Sequence, residues 1–288
     1  MTEAVRKPTP RPSFIEPTVI ASGKAVKHTW GDGPSGHVYD DVVVSSRELH
    51  VLEFTLSPGT QFVQSEANPT IFDADVVYVV LQGSLWVRDA ESGQTIHLQQ
   101  GEAAWIRPRT WHQGFNPSAG AVRTLELFAA PPSRGTASQF ALQQPFLSST
   151  QTVLQPDQDW PSTGLGKTES LVRLSPAGWR WSFAPDTAAV RWADLMATRD
   201  LIVRQVHCEP GASAVIADLR ADALVRAIDP LVVTVTGALG ERTIELSEGD
   251  ALFIPRCWGE PSLVASGMSD IGLSRSWFVV GSPDPELH

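Results

Sequence analysis

Thr95–Trp111 reads TIHLQQGEAAWIRPRTW, and Thr243–Trp258 reads TIELSEGDALFIPRCW. Both run from alternating polar and apolar residues through Gly-Glu or Gly-Asp into a short apolar segment that stops at proline. Alternation over this length marks a half-buried strand, and glycine beside an acidic residue marks a turn. Two more stretches recur in the same order. Leu49–Gly59, LHVLEFTLSPG, matches Leu201–Gly211, LIVRQVHCEPG, and Asp75–Val87, DVVYVVLQGSLWV, is read against Asp229–Gly240, DPLVVTVTGALG. The chain is therefore an internal repeat with a period of roughly 150 residues.

Each half reads as short strands separated by turn residues, the pattern of an antiparallel barrel or jelly roll. Val76–Leu81 and Leu231–Val235 are nearly continuous apolar runs, which suit strands buried on both faces. Ala214–Ile228 is expected to be irregular strand or loop. The reading divides the chain into an N-terminal arm (1–17), a first barrel (18–130), a linker (131–168) and a second barrel (169–288). The arm is expected to be flexible or to hug the surface. Within the linker, Gln139–Leu147 is apolar enough for a short helix on the first barrel, and Leu171–Arg204 is expected to open the second. The fold class is all-β, two tandem jelly-roll barrels joined by a short helical or irregular linker.

Composition narrows the function. The 288 residues carry 32 acidic and 22 basic side chains, a formal net charge of −10. Nucleic acid and anionic membranes attract clustered Lys and Arg, so neither is an expected partner. Hydrophobic residues make up 42%, enough to build a real core. Cys208 and Cys257 are too few for a disulfide framework. The start, MTEAVRKPTPRPSFIEP, is rich in proline and has no apolar signal core, so a cytoplasmic location is expected. No P-loop, G-x-G-x-x-G, G-x-S-x-G or H-E-x-x-H motif is present.

The repeated stretches resemble the two cupin motifs, G-x5-H-x-H-x3,4-E-x6-G and G-x5-P-x-G-x2-H-x3-N, occurring twice, so the chain resembles a bicupin. The resemblance implies jelly-roll barrels and, usually, one divalent metal held by three His and one Glu. It does not choose among the family's dioxygenases, isomerases, lyases, decarboxylases and non-catalytic members. In the first half, His112 and Asn116 match the second motif, but Val76 stands where the family has Glu. Thr70 and Phe72, or Pro69 and Ile71, stand at the H-x-H positions. In the second half, Pro230, Arg226, Leu224 and Glu260 fall on the ligand positions. The usual metal set is therefore not expected in either half.

His112 is the leading catalytic candidate, since the resemblance points it into the barrel, where a neutral imidazole can move protons. Asp75 and Glu126 are its expected acidic partners. Arg107 and Arg109 are candidate clamps for a carboxylate or phosphate. Trp105, Trp111, Asn116, Glu53 and Tyr78 are candidate substrate contacts. If a metal is bound, His112, Asp73 and Asp75 would hold it, as Fe, Mn, Ni or Zn. The expected function is metal-independent proton transfer (isomerase, cyclase or lyase) on a small, partly apolar molecule in the first barrel, the second barrel being structural. The alternatives are a metal-dependent oxygenase with non-standard ligands and a non-catalytic binding protein. The expected assembly is a monomer or a homodimer.

Overall fold

Strands of the first barrel follow the turn chemistry of the chain. In the computed structural model, which describes residues 9–129, 139–148, 153–154, 169–268 and 272–281, they begin after β1 (Thr18–Ile20). They are β2 (Val26–Asp32), β3 (Gly36–Ser45), β4 (His50–Leu56), β5 (Gln61–Phe62), β6 (Asp75–Gln82), β7 (Ser84–Asp89), β8 (Gln94–Gln99), β9 (Ala103–Ile106), β10 (His112–Phe115) and β11 (Val122–Ala129). The helix α1 (Gln139–Gln143) and strands β12 (Val153–Leu154) and β13 (Leu171–Leu174) follow. The second barrel comprises β14 (Trp181–Ala184), β15 (Thr187–Ala197), β16 (Ile202–Cys208), β17 (Ser213–Asp218), β18 (Ala223–Ala227), β19 (Leu231–Gly237), β20 (Gly240–Leu246), β21 (Ala251–Ile254), β22 (Ser262–Gly267) and β23 (Ser274–Val280).

Each barrel is a large sheet over a small one. The first pairs β13-β9-β6-β11-β4-β3-β2 with β12-β8-β7-β10-β5, and the second pairs β1-β21-β18-β23-β16-β15-β14 with β17-β22-β19-β20. The barrels exchange an edge. β1 pairs with β21 of the second barrel, and β13 pairs with β9 of the first. Leu171–Leu174 therefore closes the first barrel instead of opening the second. Residues 9–17 run along the body, where the Ser45 amide donates to the Pro12 carbonyl (2.6 Å) and Phe14 packs on Phe253. Among the described residues no helix is long and apolar enough to cross a membrane.

The two large sheets pack face to face. Val51, Val77, Val79, Leu125 and Leu127 of the first meet Val203, Leu224, Phe253, Trp277 and Val279 of the second in one apolar cluster. Their strands thus bury one face inside a barrel and the other against the neighbouring barrel, which is why β6 carries the run VVYVV. A second cluster fills the first barrel with Val76, Tyr78, Val80, Phe54 and Phe62, and a third fills the second with Val206, Val225, Val233 and Phe278. Gln139–Gln143 forms the short helix, and Ala141 packs with Trp111, Ile71 and Ala90.

Strand register corrects one part of the repeat. Val76 pairs with Ile106, and Ala223 pairs with Ile254. The counterpart of β6 is therefore β18, within the segment expected to be irregular, and Asp75 corresponds to Asp222, not Asp229. The run Leu231–Val235 belongs to the small sheet, where burial alternates instead of being continuous.

Candidate active site

Alternation along the large sheet selects what enters the first barrel. On β6 the inward residues are Val76, Tyr78 and Val80, and on β3 they are Val38, Asp40 and Val42. On β4 they are His50, Leu52 and Phe54, and on β11 they include Glu126 and Phe128. Of these, Val38, Asp40, His50, Leu52, Phe54, Tyr78, Glu126 and Phe128 line a partly open cavity of about 90 Å³ with Trp30, Phe62, Thr70, Phe72 and His112, and Thr9 and Arg11 of the N-terminal arm also line it. The walls are aromatic. Phe72 lies 5.0 Å from Phe128, and Phe54 lies 5.2 Å from Tyr78, both edge-on.

A line of hydrogen bonds crosses one wall. Nδ1 of His112 lies 3.2 Å from the Thr110 carbonyl, which can only accept, so Nδ1 carries the proton. Nε2 is then an acceptor, and the Tyr78 hydroxyl donates to it at 3.0 Å. Tyr78 stands directly opposite Glu126 in the β6–β11 pairing, and both side chains line the cavity. Burial, helped by the nearby Asp40, raises the Glu126 carboxyl from its ordinary 4.5 to about 8. Tyr78 has a single hydroxyl proton, and it goes to His112. Burial lowers His112 to about 4, so it is neutral at neutral pH, and burial together with Glu126 lifts the Tyr78 phenol well above its ordinary value.

Two more ionisable groups enter the cavity. Asp40 is buried, which raises its carboxyl, and it is hydrogen bonded to His28 Nδ1 at 3.0 Å. His50 is buried, which, with a smaller contribution from Arg11, lowers it to about 3. Among the described residues its Nδ1 has no hydrogen-bond partner, and neither has the buried Thr70 Oγ1.

No protein-family model and no curated protein matches the chain. Solved structures do match. A putative glyoxylate-induced protein from Pseudomonas aeruginosa aligns over 95% of this chain and 91% of its own, with a TM-score of 0.63 at 15% identity. Oxalate decarboxylase of Bacillus subtilis, with its Mn(II) centres, aligns over 94% and 79%, with a TM-score of 0.60 at 13% identity. A cupin 2 conserved barrel domain protein from Leptotrichia buccalis aligns over 92% and 96%, with a TM-score of 0.55 at 9% identity. The chain has the bicupin fold.

The donors in this bicupin do not fit the family's three-His, one-Glu metal centre. Val76 is packed in the interior cluster at the Glu position, and Thr70 and Phe72 line the cavity at the H-x-H positions. The remaining ligand atom, His112 Nε2, accepts from Tyr78. Among the described residues no three His, Cys, Asp or Glu side chains converge on one point. The alternative set of His112, Asp73 and Asp75 is not assembled either. Asp73 is exposed and paired with Arg109, while Asp75 faces the second barrel.

Several candidate residues lie away from the cavity. Asp75 accepts from Trp105 Nε1 (2.8 Å) and from Thr198 Oγ1 (2.7 Å), so Asp75 and Trp105 belong to the inter-barrel contact. Glu53 also faces that contact, held at 2.6 Å by both Arg226 and Arg123. Arg109 sits on the surface, and Arg107 stacks on Trp105 at 4.3 Å. Trp111 is core beneath α1. The amide of Asn116 ties the carbonyls of Leu56, Ser57 and Gly120, which fixes the turn after β4. Of the expected residues, His112, Glu126 and Tyr78 meet in the cavity.

Asp40, His28, His50 and Arg11 were not among the sequence candidates. A signal for three of them was present, because His28-x-Trp30, Val38-x-Asp40-x-Val42 and His50-x-Leu52-x-Phe54 alternate as one-sided strands do.

The second barrel has a different interior. By register, Tyr78, Glu126, Asp40 and His50 correspond to Val225, Phe278, Trp192 and Ile202. A depression lined by Arg199, Arg204, Arg220 and Asp218 contains no His, and its Arg204 is bound to Asp194 and to the Ile216 carbonyl.

Proposed function

We propose that the first barrel catalyses proton transfer on a small, partly apolar organic molecule: an isomerisation, cyclisation or elimination. The observation that carries this reading is the Glu126 carboxyl on the wall of an aromatic-lined cavity, directly opposite Tyr78, which is hydrogen bonded to His112. A carboxyl with a pKa of about 8 has both its acid and its base form populated near neutral pH, which suits a group that takes a proton and returns it. In its base form Glu126 removes a proton from a substrate carbon, and in its acid form it delivers that proton to another position. No electron donor or acceptor is needed: an isomerisation or cyclisation keeps every atom, whereas in an elimination the group beta to the abstracted proton departs with its bonding pair and takes the proton from Glu126. Tyr78, fixed by its hydrogen bond to His112, packs opposite the Glu126 carboxyl, so these two are positioning residues, and the aromatic walls limit the water around them.

The B. subtilis oxalate decarboxylase has Mn(II) centres, but the donors here do not reproduce such a set, so no step is assigned to a metal. The partner this reading requires is a small molecule.

The test is solvent-deuterium incorporation, followed by NMR, into a panel of small ketones and carboxylic acids in D₂O. Metal content is measured by mass spectrometry on the same preparation. Wild-type protein should exchange hydrogen in at least one compound, and Glu126→Gln should slow this by about 10²–10⁴-fold. Exchange that requires added Fe(II) or Mn(II) and survives Glu126→Gln would overturn the reading in favour of metal chemistry. Compounds that bind but never exchange would leave a binding protein.

A further inference from the structure

We infer that the cavity takes a small carboxylic acid with a flat apolar body, its carboxylate held between Arg11 and His50. This rests on reading the cavity as a substrate site and adds the chemical class of the substrate.

Two observations converge on one end of the cavity, and a third concerns its wall. First, the N-terminal arm delivers Arg11 to it. The arm is tied down where the Ser45 amide donates to the Pro12 carbonyl (2.6 Å), and Arg11 Nη1 lies 3.4 Å from Ser45 Oγ. Ser45 is the β3 residue directly opposite His50 on β4, so Arg11 is anchored beside His50. Second, His50 is 3% exposed and lines the cavity, and among the described residues its Nδ1 has no hydrogen-bond partner. A buried polar atom without a partner is costly, and a ligand oxygen at this place would satisfy it. Third, Thr70 Oγ1, also buried and without a partner, offers a further polar contact on the same cavity. A guanidinium beside an imidazole recognises a compact anion, and Arg matches carboxylate geometry well.

The rest of the cavity suits an apolar body. Phe128 is 5.5 Å from His50 and 5.0 Å from Phe72, so a flat group leaving the carboxylate enters between aromatic rings. Register then sets the spacing to the reacting group. Leu52 is opposite Glu126, and His50 is opposite Phe128, so His50 and Glu126 are diagonal neighbours. Diagonal neighbours lie roughly 7–8 Å apart. That separation places a carbon two or three bonds from the carboxylate beside Glu126. The second carboxyl in the cavity, Asp40, is bound to His28.

Isothermal titration with benzoate, benzamide and inorganic phosphate tests the assignment on the full chain. Wild-type protein should bind benzoate at least tenfold tighter than its neutral isostere benzamide. Arg11→Met, a change on the arm outside both barrels, should abolish that preference, while Glu126→Gln should keep it. Equal binding of acid and amide, no binding of either, or a preference that survives Arg11→Met would overturn the inference. Phosphate binding with the same Arg11 dependence would overturn the carboxylate class. Arg11-dependent benzoate binding without deuterium exchange in any compound would sink the proton-transfer reading and leave this one standing.

Discussion

Glu126 and His112 respond to the same burial with opposite signs, and the difference can be measured. Glu126 moves up from 4.5 to about 8, so between those values the folded chain holds a proton that the unfolded chain releases. Its contribution to stability is therefore present at low pH and is lost as pH rises toward 8. His112 moves down from 6.5 to about 4, and His50 to about 3, so their contributions are lost as pH falls below 6.5. Above pH 6.5 both imidazoles are neutral in either state, which leaves Glu126 to set the difference between wild type and Glu126→Gln. Urea unfolding should show wild type losing about 2 kcal/mol relative to Glu126→Gln between pH 6.5 and 8. Parallel curves would mean that Glu126 is ionised in the cavity. Tyr78→Phe should cost about 1–3 kcal/mol in thermal unfolding at pH 7, because it leaves the buried Nε2 of His112 without its donor. Which of these residues were legible in the sequence follows from the same geometry. A motif marks His112, which lines the cavity, whereas Asp75, Glu53 and Trp105, expected at the site, face the inter-barrel contact. In strands buried on both faces, alternation cannot tell the barrel interior from the inter-barrel contact.

At the level of elements, β10 shows how a strand makes room for the cavity. His112 enters the barrel at its start, and Gly114 follows two residues later on the same side, with the Phe62 ring resting over its Cα. A Cβ at Gly114 would overlap that ring. Phe62 also lines the cavity, so Gly114→Ala should push it inward. The expected cost is about 1–3 kcal/mol of stability, with at least a tenfold loss of benzoate affinity. Calorimetry of unfolding and of binding on one sample checks both, and unchanged affinity would mean that Phe62 moves away from the cavity instead. The misreading of β18 has a physical cause at this scale too. Its sequence, ALVRA, is short and carries an Arg, so the longer apolar run LVVTVTG of β19 looked more like β6. The Arg is tolerated because Arg226 points out of its own barrel and onto Glu53 of the other, a contact that no local pattern announces.

That contact governs the whole molecule. The cluster between the large sheets draws on both barrels, and each barrel borrows an edge strand from the other half of the chain, β1 in one case and β13 in the other. Neither half has a complete sheet alone, so the two should unfold together, with tryptophan fluorescence and far-UV circular dichroism giving coincident transitions. Within this contact Glu53 and Arg226 sit 2.6 Å apart, with side chains 11% and 8% exposed. Removing one member of such a pair strands the other charge without a partner. Glu53→Leu should therefore cost about 3–5 kcal/mol. Replacing both by apolar residues of similar volume removes the stranded charge, so Glu53→Leu with Arg226→Met should recover most of that loss. Arg123, which also binds Glu53 at 2.6 Å, is 43% exposed and can turn to solvent in the double variant. A double-mutant cycle on unfolding free energies reads the coupling directly. Additive costs would show that the pair is solvated and that the apolar cluster alone joins the barrels, whereas strong coupling would make Glu53 a determinant of how the sheet carrying Glu126 and His50 is held.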